Sequence, residues 1–226
     1  MQVAVKYPRV LLAHAQRSDC VQQLARDLSV QIATILSLQA RASLLLPGGS
    51  SPQQLLPLLA AEPLEWARVD VSPTDERWVA ADAEQSNWRL LQQGLPAAAC
   101  LDPRQADSAQ ASASLWADQL QARMPFAAVL LGMGEDGHIA SLFPGMPGLA
   151  PALDLQAAPG ALCAQAPSEP RQRLSLNLPM LLQTQWLGLL AFGQSKKQLV
   201  ASVIALNEYR YFGFDSFKME IPALIR

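Results

Sequence analysis

A chain of 226 residues, half of them apolar and 16% charged, carries enough apolar surface to close a full core in one α/β domain and does not belong to the disordered class. Its formal net charge of −2 leaves no basic footprint, which argues against a nucleic-acid partner. Cys20, Cys100 and Cys163 are odd in number and far apart. They offer neither a disulfide framework nor zinc-ligand spacing, so a reducing cytoplasm is the expected compartment. WLGLLAF, at 186–192, is far too short for a membrane span. Near the start, Lys6, Arg9 and the Ala13-His14-Ala15 triplet imitate a signal cleavage site, but the apolar core VLLA is too short to serve one, and no targeting segment is expected.

Residues 16–40 read as a helix, because Val21, Leu24, Leu28, Ile32, Ile35 and Leu36 recur at spacings of three and four. His14, just before it, reads as an ordinary hydrogen-bonded histidine rather than a ligand. Ser43 to Leu46 is a short apolar strand that runs into Pro47-Gly48-Gly49-Ser50-Ser51-Pro52. Ser51 is placed as the N-cap of the next helix, Pro52 as its first residue and Gln54 as the closing member of a capping box. A Gly-Gly turn that feeds free N–H groups into a helix N-terminus suits an anion, although an ordinary capped helix accounts for the same residues.

Trp66 to Val71 alternates as a strand, and Ser72-Pro73-Thr74 leads into Asp75-Glu76-Arg77-Trp78. On their own, two acids and an arginine there fit a solvated turn. Ser86 and Asn87, both good caps, open a helix to about Gln93. Residues 96–112 are rich in Ala, Pro and Asp and read as a surface loop. Ser112 to Met124 reads as a helix with Leu115, Trp116 and Leu120 towards the core.

Ala127 to Leu131 is a buried strand that enters a glycine-rich turn, GMGEDG (132–137), followed by a short helical start, HIASLF, that Pro144 and Gly145 stop. The turn presents Glu135, Asp136 and His138 at a strand's carboxyl end, where open α/β sheets keep their sites. GMGEDG matches the dinucleotide pattern G-x-G-x-x-G. That pattern needs a long helix after the glycines and an acid closing a second strand about 20 residues on. Pro144 and Pro147 forbid the first, and Asp154 lies in a proline-flanked stretch with no strand before it.

Gly145 to Pro159 has no clear periodicity and reads as a flexible flap beside the site. Ala161 to Ala166 and Arg173 to Leu176 are strands, and Trp186 to Phe192 is another. Gly193-Gln194-Ser195-Lys196-Lys197 then opens a helix to about Leu206. A lysine in a first turn opposes the helix dipole, and a bound anion offsets that cost; solvated lysines at helix ends are also common. The strand–helix alternation predicts an α/β fold with a mainly parallel central sheet flanked by helices on both faces. The turns at Gly48, Asp75, Gly132 and Gly193 all follow strands and can gather at one rim.

GMGEDGHIASLFPG (132–145), PGGSSPQQLL (47–56), DERWVAADAEQSN (75–87), RLSLNLPML (173–181) and GQSKKQL (193–199) resemble, in kind and order, the segments of the 6-phosphogluconolactonases. These lie within the larger family that includes the glucosamine-6-phosphate deaminases, and the resemblance covers roughly residues 10–205. It implies a Rossmann-like, NagB-type fold. It also implies hydrolysis of 6-phospho-D-glucono-1,5-lactone to 6-phospho-D-gluconate, in the oxidative branch of the pentose phosphate pathway, with no metal or cofactor.

Carried onto this chain, the resemblance places His138 as general base and Asp75 and Asp136 beside it in the catalytic group. It assigns Gly48, Gly49, Ser50, Ser51, Arg77, Gly134, Arg173 and Lys196 to the substrate and its phosphate. The expected partner is a small phosphosugar lactone, with neither nucleic acid nor membrane, and the expected assembly is a monomer or weak homodimer. No G-x-S-x-G elbow is present, which disfavours a covalent acyl route.

Isomerisation or deamination on the same scaffold is the competing enzyme reading, with Asp75 abstracting a proton and His138 assisting ring opening. The ending Ser141-Leu142-Phe143-Pro144 favours the lactonase branch. A non-catalytic sugar-phosphate binder would keep Arg173 and Lys196 and lose the acid–histidine pair, which this chain retains. Two departures stand out: Pro47 replaces the family's small polar residue, and residues 207–226 match its ending poorly.

Overall fold

The fold is described from a computed structural model, in which residues 10–11, 14, 16–208 and 224–225 are described. In chain order its elements are β1 (Val10–Leu11), α1 (Arg17–Leu38), β2 (Ala42–Leu46), α2 (Ser50–Ala60), β3 (Val69–Pro73), β4 (Asp75–Arg77), α3 (Asn87–Gly94), β5 (Ala99–Cys100) and α4 (Ala109–Gln121). There follow β6 (Ala128–Gly132), α5 (Leu149–Leu153), β7 (Ala161–Gln165), β8 (Gln172–Leu176), α6 (Leu178–Leu181), β9 (Leu187–Leu190), α7 (Gln194–Glu208) and β10 (Leu224–Ile225).

Seven strands form a parallel sheet in the order β1-β10-β9-β6-β2-β3-β5. Its central strands β6 (AVLLG) and β9 (LGLL) are apolar along their length because both faces are covered. Side chains alternate between two cores. Leu44, Leu46 and Leu130 join the layer built by α1, α2 and α3, while Leu45, Val129 and Leu131 join the layer on the other face, where α4 contributes Trp116 and Leu120. Each fully buried leucine or isoleucine contributes about 1.5–3 kcal/mol, so the six apolar positions of the α1 stripe hold that helix to the sheet.

The chain runs outward from β2 through β3 to β5, returns to lay β6 on the other side of β2, and continues to β9 and β10. The order therefore reverses between β2 and β6, which pair through Leu44–Ala128 and Leu45–Val129. The crevice at the carboxyl ends of two such strands is where this class of sheet holds ligands.

A second, three-stranded antiparallel sheet, β4-β8-β7, packs on the α4 face. It corrects the reading of residues 75–77 as a solvated turn: Asp75 and Glu76 are buried, and β4 pairs with β8 through Asp75–Ser175, Glu76–Leu174 and Arg77–Arg173. A strand of three residues carrying three charges has no apolar alternation from which pairing could be read.

Other boundaries move for physical reasons. α2 starts at Ser50, with Gly49 (φ 94°) as its N-cap and no side-chain cap, so Ser51 and Gln54 form no capping box. Pro52 then falls within the first turn, where a missing N–H costs nothing. Trp66 to Arg68 is a 3₁₀ turn ahead of β3. α4 begins at Ala109, capped by Ser108, and Leu115 is exposed on it rather than turned to the core. The loop at 96–112 contains β5. HIASLF does not start a helix: Ala140 lies at φ 48°, and Ile139 bridges back to Met133 and on to Leu142. Gly145 to Pro159 holds the short helix α5, with Ala152 and Leu153 buried, which pins the proposed flap to the core. His14 is exposed, and most of the aromatic tail at 207–226 falls outside the described residues.

Candidate active site

The turn after β6 is closed by its own backbone: Gly134 N–H donates to His138 O at 2.9 Å and Gly137 N–H to Gly134 O at 3.2 Å. Gly137 needs its freedom, with φ at 86°. Gly134 needs the absence of a side chain, because a Cβ there would run into the His138 imidazole and the Asp136 carboxylate. Asp136 Oδ1 accepts from His138 N–H at 3.2 Å and lies 2.5 Å from His138 Nδ1. The ring also sits 4.3 Å from that of Phe143, centroid to centroid. Nδ1 is thus committed to the carboxylate, and among the described residues Nε2 takes no hydrogen bond. Partial burial works to raise the Asp136 carboxyl, but the hydrogen bonds and charge of His138 outweigh it and hold the group below the usual carboxylate range.

Three residues beyond the histidine, Ser141 joins this loop to the small sheet. Its hydroxyl donates to Asp75 Oδ2 at 2.6 Å, and its N–H donates to Ser175 Oγ at 3.1 Å. Asp75, Arg77, Arg173 and Ser175 share one face of that sheet, since they alternate along paired strands. Arg77 and Arg173 stand directly opposite each other. Arg173 is buried, and burial together with the Arg77 charge lowers its pKa against the pull of Asp75 and Glu76. Arg173 Nε donates to Pro170 O and an Arg77 Nη to Gln85 O, while Arg77 Nε is buried without a hydrogen-bond partner among the described residues. Like charges facing across two strands are destabilising unless an anion lies between them.

The other two turns close the rim. Gly132 backs onto Pro47, whose ring carbons lie 3.4–3.6 Å from where a Cβ would stand. Gly48 packs against the Asn87 side chain so tightly that no Cβ fits, and Asn87 Nδ2 donates to Asp75 O at 2.8 Å. At the start of α7, Ser195 Oγ donates to Glu135 Oε2 at 2.5 Å and Lys196 Nζ lies 3.4 Å from Glu135 Oε1. Glu135 thereby fixes the lysine beside the His138 turn.

All four turns expected at one rim are connected there. Sequence reasoning missed the connectors. Ser175 was within reach, because strand alternation places it on the face of Arg173. Arg104, which reaches Glu76 from the supposed surface loop, left no signal. Glu76 itself is fully buried.

A family model described as glucosamine-6-phosphate isomerases/6-phosphogluconolactonase matches residues 15–211. The chain belongs to this family. It is 37% identical over 213 residues to a 6-phosphogluconolactonase of Pseudomonas putida, covering 90% of this chain and 88% of the relative. It is 37% identical over 210 residues to the 6-phosphogluconolactonase of Pseudomonas aeruginosa, covering 90% and 85%. Among solved structures, a 6-phosphogluconolactonase from Shewanella baltica superposes with a TM-score of 0.79 at 31% identity, covering 86% of this chain and 85% of that one. A monomeric glucosamine-6-phosphate deaminase of the NagB superfamily shares the fold, with a TM-score of 0.69 at 18% identity. The family's description names two chemistries, and the choice between them falls to the site.

Proposed function

We infer that the protein is a 6-phosphogluconolactonase, which hydrolyses 6-phospho-D-glucono-1,5-lactone to 6-phospho-D-gluconate in the oxidative branch of the pentose phosphate pathway. The observation that carries the reading is the Asp136–His138 pair at the reversal of the sheet, with Nδ1 held and Nε2 unengaged. An imidazole in that state accepts a proton from water as the water attacks C1 of the lactone. The resulting imidazolium is stabilised by Asp136 and returns the proton to the ring oxygen as the C1–O5 bond breaks. The N–H groups of the Gly132–Gly137 turn that do not donate within it, as those of Gly134 and Gly137 do, are the candidates to stabilise the oxyanion that develops at C1.

Gly48, Gly49, Ser50 and Ser51 supply uncapped N–H groups at the start of α2, where the helix dipole favours an anion. Arg77 and Arg173 add facing guanidinium groups and Lys196 a point charge, a division common at phosphate sites. Asp75, anchored by Ser141, orients the sugar hydroxyls, and Gly134 lets the ring of His138 reach the substrate.

The substrate is a small phosphosugar lactone, and the assembly is a monomer or weak homodimer. Both cores pack on one sheet, which supports a single α/β domain over the described residues. Cys20, Cys100 and Cys163 lie far apart in the sequence and offer no disulfide framework, which supports a cytoplasmic protein. Among the described residues no helix is long and apolar enough to cross a membrane.

The deciding experiment follows acid release from freshly generated 6-phosphogluconolactone against its spontaneous rate, with wild type and His138→Ala in parallel. Turnover well above the spontaneous rate that falls at least about a hundredfold in the variant supports the reading. Equal rates in the two proteins remove His138 from the chemistry.

A further inference from the structure

The buried carboxylate of Glu76 has no part in the chemistry above, yet it is among the most heavily bonded groups in the molecule. Its Oε1 accepts from the N–H of Arg77 at 2.7 Å and of Asn87 at 2.8 Å. Its Oε2 accepts from the N–H of Trp88 at 2.7 Å and from Ser86 Oγ at 3.1 Å. Arg104 Nη1 stands 3.1 Å from the same oxygen, and another Arg104 nitrogen reaches Asp102 at 3.0 Å and Ser86 Oγ at 3.1 Å. The Arg104 guanidinium lies over the Trp88 ring, 5.8 Å from its centroid.

A carboxylate that is wholly buried costs several kcal/mol unless it is paired and hydrogen-bonded, so the chain keeps it there only with its partners in place. Part of this is capping of α3, since Glu76 takes the N–H groups of Asn87 and Trp88 while Ser86 takes only that of Arg89, at 3.2 Å. The same bonds also converge on the site. Arg77 is one of the two facing guanidinium groups. Asn87 holds the carbonyl of Asp75 and is the surface on which Gly48 packs without room for a Cβ.

We propose that Glu76, paired with Arg104, is a positioning residue that sets the distance between the Gly48–Ser51 turn and the Arg77–Arg173 pair, and so determines affinity for the substrate's phosphate. Glu76 touches no substrate; it acts through the backbone of Arg77 and through Asn87. The proposal rests on the phosphosugar reading above for the identity of the anion.

Two variants test it, Glu76→Gln and Arg104→Met, each checked for folding by far-UV circular dichroism and thermal melting. The amide keeps the shape but turns a donor towards Trp88 N–H or Arg77 N–H, whereas Arg104→Met removes the cation and leaves the four donors. The readouts are kcat and KM for the lactone, and the Kd of 6-phosphogluconate by calorimetry. The expected result is a rise of about tenfold or more in both KM and Kd with kcat within about threefold, the pattern of lost uniform binding. Arg104→Lys, which keeps the charge, is expected to recover part of that loss.

A lowered melting temperature with KM and Kd unchanged would overturn the proposal and leave Glu76 a structural cap. A collapse of kcat at constant KM would overturn it as well, by placing Glu76 in the chemistry. Should Glu76→Gln fail to fold, Arg104→Met decides alone. If wild type binds 6-phosphogluconate without hydrolysing the lactone, the hydrolase reading fails while the Kd values still judge Glu76. If wild type binds neither, the proposal falls with the reading.

Discussion

Ser141 donates a 2.6 Å hydrogen bond to Asp75, and this bond fastens the loop that carries His138 to the small antiparallel sheet that carries the two arginines. Both residues are buried. His138 lies on the turn after β6 of the parallel sheet and the guanidinium pair on β4 and β8, so the bond sets their separation.

Ser141→Ala is expected to destabilise the protein by about 1–3 kcal/mol, the cost of leaving a buried acceptor without its donor. Urea denaturation of the two proteins measures it. The same variant is expected to lower kcat, because the His138 loop loses its lateral anchor.

Gly134→Ala is expected to lower kcat by about tenfold or more, since its Cβ would displace the His138 ring and misplacing a catalytic group by about 1 Å is costly. The turn lies at the surface, so the melting temperature should change little by comparison. Steady-state kinetics and a thermal melt on one preparation separate the two effects.

The Arg77–Arg173 pair predicts a trade between stability and binding. In phosphate-free buffer Arg173→Gln should be no less stable than wild type, because it relieves the repulsion of two facing cations. Added 6-phosphogluconate should raise the wild-type melting temperature, by a stabilisation of about 2.7 kcal/mol at a hundred times its Kd, and should leave the variant nearly unmoved. Equal ligand-induced shifts in both would exclude Arg173 from the anion site.

Asp136 gives a stability signature in acid. Its pKa is lowered in the folded state, so its contribution is fully present above the unfolded value of about 3.9. It is lost as the pH falls through the lower folded value. Urea midpoints of wild type and Asp136→Asn should therefore differ at pH 6, and the difference should shrink as the pH falls below about 3.9, vanishing only below the lowered folded-state value. Asp136→Asn should also reduce kcat at neutral pH, by less than His138→Ala does, since the base survives without its orienting partner.

The apolar periodicity of α1, the continuous apolar runs of β2 and β6, and the glycines after each were enough to give a parallel sheet with its chemistry at the carboxyl ends of the strands. These features are local: spacing, strand length and turn chemistry are written in consecutive residues. The same holds for His138 with Asp136, two positions apart, and for the likeness of the ordered segments to 6-phosphogluconolactonases. Tertiary structure decided what depends on pairing between distant segments. It folded Asp75–Arg77 into a second sheet, buried Glu76 beneath Arg104, turned HIASLF into a bridged loop drawn onto Asp75 and Ser175, and closed the supposed flap with α5. A short strand of charged residues carries no periodic signal, and a buried ion pair joins residues 28 positions apart, 76 and 104, so neither can be seen until the chain has brought them together.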